Sequence, residues 1–101
     1  MQTPLQITFR DFPHSDALDS HIREKTGKLE QFFSGLIACR VVVEHSAKHH
    51  QQGNLFKVHI DLTAPGKEIV VDRKENEDVY VALRDAFDAA KRQLEDYVRQ
   101  L

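Results

Sequence analysis

Residues 56–72 read Phe56-Lys57-Val58-His59-Ile60-Asp61-Leu62-Thr63-Ala64-Pro65-Gly66-Lys67-Glu68-Ile69-Val70-Val71-Asp72, and the fold turns on this stretch. Phe56, Val58, Ile60 and Leu62 alternate with Lys57, His59 and Asp61, the period-two pattern of a strand with one buried face. Ala64-Pro65-Gly66-Lys67 is a tight-turn signature, because proline presets φ and glycine tolerates positive φ. Glu68 to Asp72 then makes a short strand, and so short a connection joins the two as an antiparallel hairpin. A hairpin with one apolar face needs other elements to cover that face.

Downstream, residues 78–101 contain no glycine or proline, and Val79, Leu83, Ala86, Ala90, Leu94, Tyr97 and Leu101 recur at three or four residues. That is a long amphipathic helix, with Asn76 as its expected cap and Glu77 and Asp78 near the positive end of its dipole. Upstream, His45 to Asn54 is polar and holds Gly53, so it reads as a loop. Before it, Ile37, Cys39, Val41 and Val43 alternate with Ala38, Arg40, Val42 and Glu44 in a further strand.

Leu5, Ile7 and Phe9 alternate with Gln6, Thr8 and Arg10 in the first strand, which Pro13 and His14 break. Ser15 offers a capping hydroxyl, and Asp16 and Asp19 place negative charge in the first turn of a helix. Leu18, Ile22, Leu29 and Phe32 or Phe33 keep helical spacing apart from a gap at Lys25-Thr26, and Gly35 suits the C-terminal stop. Gly27, inside this helix, costs about 1 kcal/mol relative to alanine, which suggests close packing there.

The expected order is therefore β-α-β-β-β-α. The first helix crosses over between parallel strands one and two, and both helices cover the single apolar face. The expected class is α+β: a two-layer sandwich in which a four-stranded sheet carries two helices on one face, as a single domain over residues 1–101.

Composition narrows the function. The chain has 101 residues, 41% hydrophobic and 30% charged, which argues against both disorder and a membrane protein. No apolar run approaches the roughly 20 residues that span a bilayer, and Met1-Gln2-Thr3-Pro4 lacks the basic and apolar blocks of a secretory signal. With Cys39 as its one cysteine, the chain reads as cytoplasmic. Lys and Arg number 14 against 16 Asp and Glu, for a net charge of −2, so any anion-binding surface must come from segregation of charge.

No Gly-rich phosphate loop, positioned nucleophile or metal-ligand spacing supports an enzyme, and no cofactor is implied. His45, Lys48, His49 and His50 invite a metal reading, but nothing completes a recognised site, and a polar loop is the simpler reading. Cys39 alternates with core residues, as a buried thiol does. Tyr80 and Phe87 lie one helical seam off the main stripe, at the core edge or in an interface.

Three segments carry a resemblance: Lys28-Leu29-Glu30, ending the run from Ile22; Glu77-Asp78-Val79-Tyr80-Val81-Ala82-Leu83, opening the last helix; and Ala90-Lys91-Arg92-Gln93-Leu94 further along it. In their order and separation they resemble the family of hibernation-promoting factors and ribosome-associated translation inhibitors, also called sigma-54 modulation proteins. The resemblance implies a non-enzymatic protein that binds the small ribosomal subunit and its 16S rRNA where messenger and transfer RNA would sit. It implies action in stress or stationary phase, in some bacteria beside a second small factor that pairs ribosomes. The chain resembles the short type, without the dimerisation or cold-shock domain that follows in longer relatives.

The resemblance points to a basic surface spread over both helices. Arg23, Lys25 and Lys28 lie on the first helix; Arg84, Lys91, Arg92 and Arg99 lie on the second, with Arg73 and Lys74 before it. The expected rRNA contacts are Arg23, Lys25, Lys28, Lys74, Arg84, Lys91 and Arg92, provided the helices pack side by side. Ala89 and Asp96 stand where some family members have lysine, and Asp85, Asp88 and Glu95 also bring negative charge to this helix. A plainer reading leaves these charges as solvated i,i+4 pairs: Arg84 with Asp88, Asp88 with Arg92, Arg92 with Asp96, Glu95 with Arg99. A general structured-RNA-binding module, or a protein-interaction module, is the alternative function.

Overall fold

A computed structural model describes residues 3–46 and 54–101, apart from the side chain of Arg73. The elements run β1 (Leu5–Arg10), α1 (Asp16–Phe32), β2 (Ala38–Ser46), β3 (Leu55–Ala64), β4 (Lys67–Asn76) and α2 (Val79–Arg99). The four strands form one sheet in the order β1-β2-β3-β4, with β1 parallel to β2 and the other two pairings antiparallel. This is the expected α+β sandwich. Among the described residues no helix is long and apolar enough to cross a membrane.

Strand register stacks the apolar residues in rows across one face. Leu5, Cys39, Leu62 and Ile69 make one row, and Ile7, Val41, Ile60 and Val71 the next. Val41, Ile60 and Leu62 are fully buried beneath Ile22 and Leu29 of α1 and Leu83, Ala86, Ala90 and Leu94 of α2, in one continuous core. The opposite rows are mainly polar: Gln6, Arg40 and Asp61 end on the exposed Val70 in one, and Arg10, Glu44, Lys57 and Glu75 make another, with Val42 between Thr8 and His59 in the row that separates them. Both helices therefore lie on the same side. Because β1 and β4 run in the same direction, the helices that follow them also run parallel to each other.

The ends of the elements obey local chemistry. Ser15 caps α1, its hydroxyl accepting from the Leu18 N–H at 3.2 Å. The gap in the apolar stripe of α1 is filled by Thr26, fully buried, whose hydroxyl donates to the Ile22 carbonyl at 2.9 Å. Pro65 and Gly66 make the two-residue turn, with Gly66 at φ +72° as a type II geometry requires.

Several expectations are corrected. β2 begins at Ala38 and continues through His45 to Ser46, leaving Ile37 half-exposed outside it; His45 is thus a strand residue, bonded to Asn54 at 2.8 Å. Lys48, His49 and His50 lie outside the described residues. β4 runs to Asn76, well past Asp72, because a bulge between the Val58 and Ile60 pairings absorbs the break in alternation. Asp78, not Asn76, caps α2: its carboxylate accepts from the Tyr80 N–H at 2.9 Å, while Asn76 accepts from the Asp78 N–H at 2.8 Å. The chain beyond Arg99 is no longer α-helix.

Neither glycine of the first helix region serves as expected. α1 ends at Phe32, and Phe33 turns its ring back over Gly35, where a Cβ would stand 2.7 Å from it; Gly35 is kept small by that ring, and its φ is not positive. At Gly27 a Cβ would meet nothing within 4 Å, so close packing is not its reason. Gly27→Ala therefore removes a helix-interior penalty without a clash, and we expect it to raise stability by about 0.5–1 kcal/mol in urea unfolding, with an unchanged m-value.

Candidate nucleic-acid interface

The two helices meet along a seam. His21 and Tyr80 touch edge-to-face at its start, with centroids 5.1 Å apart, and Phe33 and Tyr97 do the same at its end at 5.5 Å. Between them the Lys91 ammonium lies 5.1 Å from the centre of the Phe32 ring. These contacts fix which flank of each helix borders the other. On α1 it is the flank of His21, Lys25, Lys28 and Phe32; on α2 it is that of Tyr80, Arg84 and Lys91.

Four expected cations thus converge on one seam: Lys25, Lys28, Arg84 and Lys91. Lys25 is half-buried and the other three are exposed. Lys25, Lys28 and Lys91 form no ion pair among the described residues. Arg84 is drawn to its neighbour Asp85 at 3.2 Å, an exposed pair that constrains it weakly.

Arg23 and Arg92 are not brought to the seam. Arg23 lies on the opposite flank of α1, ion-paired with Asp19 one turn back. On that same flank Glu30 accepts from the Thr3 backbone N–H at 2.8 Å, tying the chain before β1 to the helix. Arg92 falls on the outer side of α2, opposite the buried stripe, among Asp85, Asp88 and Asp96. The i,i+4 pairs expected along α2 are replaced among the described residues by Arg84–Asp85 and by Arg99–Asp96 at 2.8 Å.

Lys74 reaches the helix side of the sheet by a route the alternation hides. Continued from Ile69 and Val71, period two would place it on the open face. The bulge instead pairs it with the core residue Val58, so it shares that residue's face at the end of the sheet where both helices begin. The side chain of Arg73 is outside the described residues. Sequence spacing also left Tyr80 and Phe87 undivided: Phe87 is 4% exposed and belongs to the core, whereas Tyr80 is 45% exposed on the seam.

The open face of the sheet is self-neutralised. Arg40 donates to Asp61 at 2.6 Å, His59 lies 3.0 Å from Asp61 and 3.2 Å from Asp72, and Lys57 faces Glu75 at 4.0 Å. Among the described residues no cluster of His, Cys, Asp or Glu is arranged to hold a metal. Cys39 is in the core; burial outweighs its hydrogen bond with Thr26 and pushes the thiol up to about 11, which suppresses the reactive thiolate.

The protein is a two-layer α+β fold in which four of the expected cations gather on the exposed seam of its helices, while Arg40, Lys57 and Arg99 face acidic partners. The chain belongs to the sigma-54 modulation protein / S30EA ribosomal protein family, whose model matches residues 5–101. Members are ribosome-associated binding proteins, and the chain is accordingly not an enzyme. The fold is similar to the N-terminal domain of Protein Y from Thermus thermophilus, with TM-score 0.80 at 21% identity over 95% of this chain and 99% of that one. It is also similar to a ribosomal subunit interface protein from Coxiella burnetii, with TM-score 0.82 at 16% identity over 96% and 99%. No curated protein sequence gives a significant match.

The open face yields a pH prediction. Burial works against ionisation of Asp61, but the hydrogen bonds and charge of Arg40 and His59 outweigh it and hold this carboxyl below its usual range. A depressed folded-state pKa adds stability above the unfolded-state value and loses it as pH falls through the folded one. Asp61→Asn is therefore expected to lower stability at pH 7 by up to about 1 kcal/mol. Its unfolding midpoint should converge on that of wild type as the pH drops below about 4.

Proposed function

We infer that this protein binds the small ribosomal subunit through 16S rRNA and holds ribosomes inactive. It does so by occupying the messenger and transfer RNA channel under stress or in stationary phase, in the cytoplasm where ribosomes work. The observation that carries this reading is the convergence of Lys25, Lys28, Arg84 and Lys91 on one seam of a chain whose net charge is −2. Phosphates draw affinity from such a cluster by releasing counterions, and no base need be read. Family membership supplies the ribosome as the source of those phosphates. Lys74 extends the surface at the end of the sheet, Arg92 borders it from the outer side of α2, and Arg23, on the opposite flank of α1, lies outside it.

Co-sedimentation with ribosomal subunits across a salt series tests the reading, with free structured RNA as competitor. With about four phosphate contacts, affinity should fall on the order of a hundredfold between 50 and 200 mM salt. Replacing Lys25, Lys28 and Lys91 together by glutamate should abolish saturable binding to the small subunit while the unfolding midpoint stays close to wild type. Arg92→Glu should have the smaller effect. Unchanged sedimentation of the folded triple variant would overturn the proposed surface, and displacement by any structured RNA would favour a general RNA-binding module instead.

A further inference from the structure

The seam holds more than cations. Tyr80 and Phe32 are exposed by 45% and 40%, and both lie on it, among the basic residues. They differ in availability. Phe32 already has Lys91 over its ring. Tyr80 is braced by His21 in edge-to-face contact, with interplanar angle 79°, and its hydroxyl has no hydrogen bond among the described residues. Its backbone is fixed by the Asp78 cap, whose carboxylate accepts from the Tyr80 N–H. One helical turn further on, Lys25 follows His21 on α1 and Arg84 follows Tyr80 on α2, so a flat, rigid, half-exposed ring sits at the head of two cations.

Phosphate recognition alone gives no reason to expose a tyrosine, since a ring in water forgoes the burial that Phe87, on the same helix, obtains. An aromatic face beside a basic groove has the chemistry of a platform for an unpaired nucleobase, where stacking adds to the backbone contacts and tolerates any base. The acids that flank Tyr80 in sequence are Glu77, Asp78 and Asp85; Asp78 is engaged at the helix cap and Asp85 is drawn to Arg84, and none of the three repels a neutral base. The charge pattern and the exposed ring thus suit the same ligand at adjacent points.

We propose that Tyr80, braced by His21, stacks one unpaired base of the bound RNA while Lys25 and Arg84 hold the phosphates beside it. This deepens the RNA-binding reading of the seam and rests on it. The protein then prefers RNA with a flipped or unpaired nucleotide to a continuous duplex of the same charge.

The test uses the full chain and two short RNA duplexes that differ at one position: an unpaired purine in one, an abasic residue in the other. The chain has two tyrosines and no tryptophan, so a Tyr97→Phe background leaves Tyr80 as the only strong emitter. The purine RNA should bind about tenfold tighter than the abasic RNA and quench Tyr80 emission. Tyr80→Ala should bind the two RNAs equally, and Tyr80→Phe should keep the preference. Equal binding of both RNAs by the parent chain, failure to bind either, or a preference that survives in Tyr80→Ala would overturn the proposal. Co-sedimentation separates the two readings. If base preference is lost but salt-sensitive ribosome binding persists, the stacking idea fails alone. If purine preference is present without ribosome binding, the ribosomal reading fails alone.

Discussion

The sheet has one apolar face, and most of the molecule follows from burying it. Leu62 and Ile69, like Ile60 and Val71, are register partners that point to the same side, so a single layer of helices suffices to remove them from water. The parallel pairing of β1 with β2 requires a crossover, and α1 supplies it on that side. α2 follows β4, which runs in the direction of β1, and packs over β3 and β4 on the same side. Two helices laid parallel on one face necessarily share a seam. The outer side of that seam remains in water, and polar residues collect there.

Charge on this protein is then decided by position and not by total. The open face of the sheet carries both signs in cross-strand contact: Arg40 with Asp61, Lys57 with Glu75, and His59 between Asp61 and Asp72. Such pairs leave little field. Along the seam the lysines have no acidic partner among the described residues, and the acids of α2 fall mainly on its outer and far flanks, beside Arg92 and Arg99. Among the described residues, a chain that is weakly acidic overall thereby gathers four cations along the seam of its helices. That segregation reconciles composition with membership of a ribosome-associated family.

The departures from sequence expectation share a cause. The length of β4 and the side taken by Lys74 both depend on a bulge, which breaks the period of two and leaves no mark in hydropathy. The roles of Gly27 and Gly35 depend on what stands beside them: nothing within 4 Å in one case and the Phe33 ring in the other. The capping residue of α2 was displaced by two positions because Asn76 and Asp78 both have capping side chains, and only backbone direction decides which accepts from the helix. Each of these is a question of neighbours in space.

By itself the sequence determined the order of elements, the turn at Pro65-Gly66, the apolar stripes of both helices and the one-sided sheet. Those features are periodic or local, and hydrophobic spacing and backbone preference record them directly. It also placed a set of basic residues on the two helices. Which of them act together was decided only by tertiary structure. Lys25, Lys28, Arg84 and Lys91 are distant in sequence and become neighbours because α1 and α2 lie parallel, in contact at His21–Tyr80 and Phe33–Tyr97. Arg23 and Arg92 have the same chemistry, yet the first lies on the opposite flank of α1 and the second on the outer side of α2. The rotation of each helix about its own axis is set by the buried residues opposite, and that rotation, unlike periodicity, exists only once the core has formed.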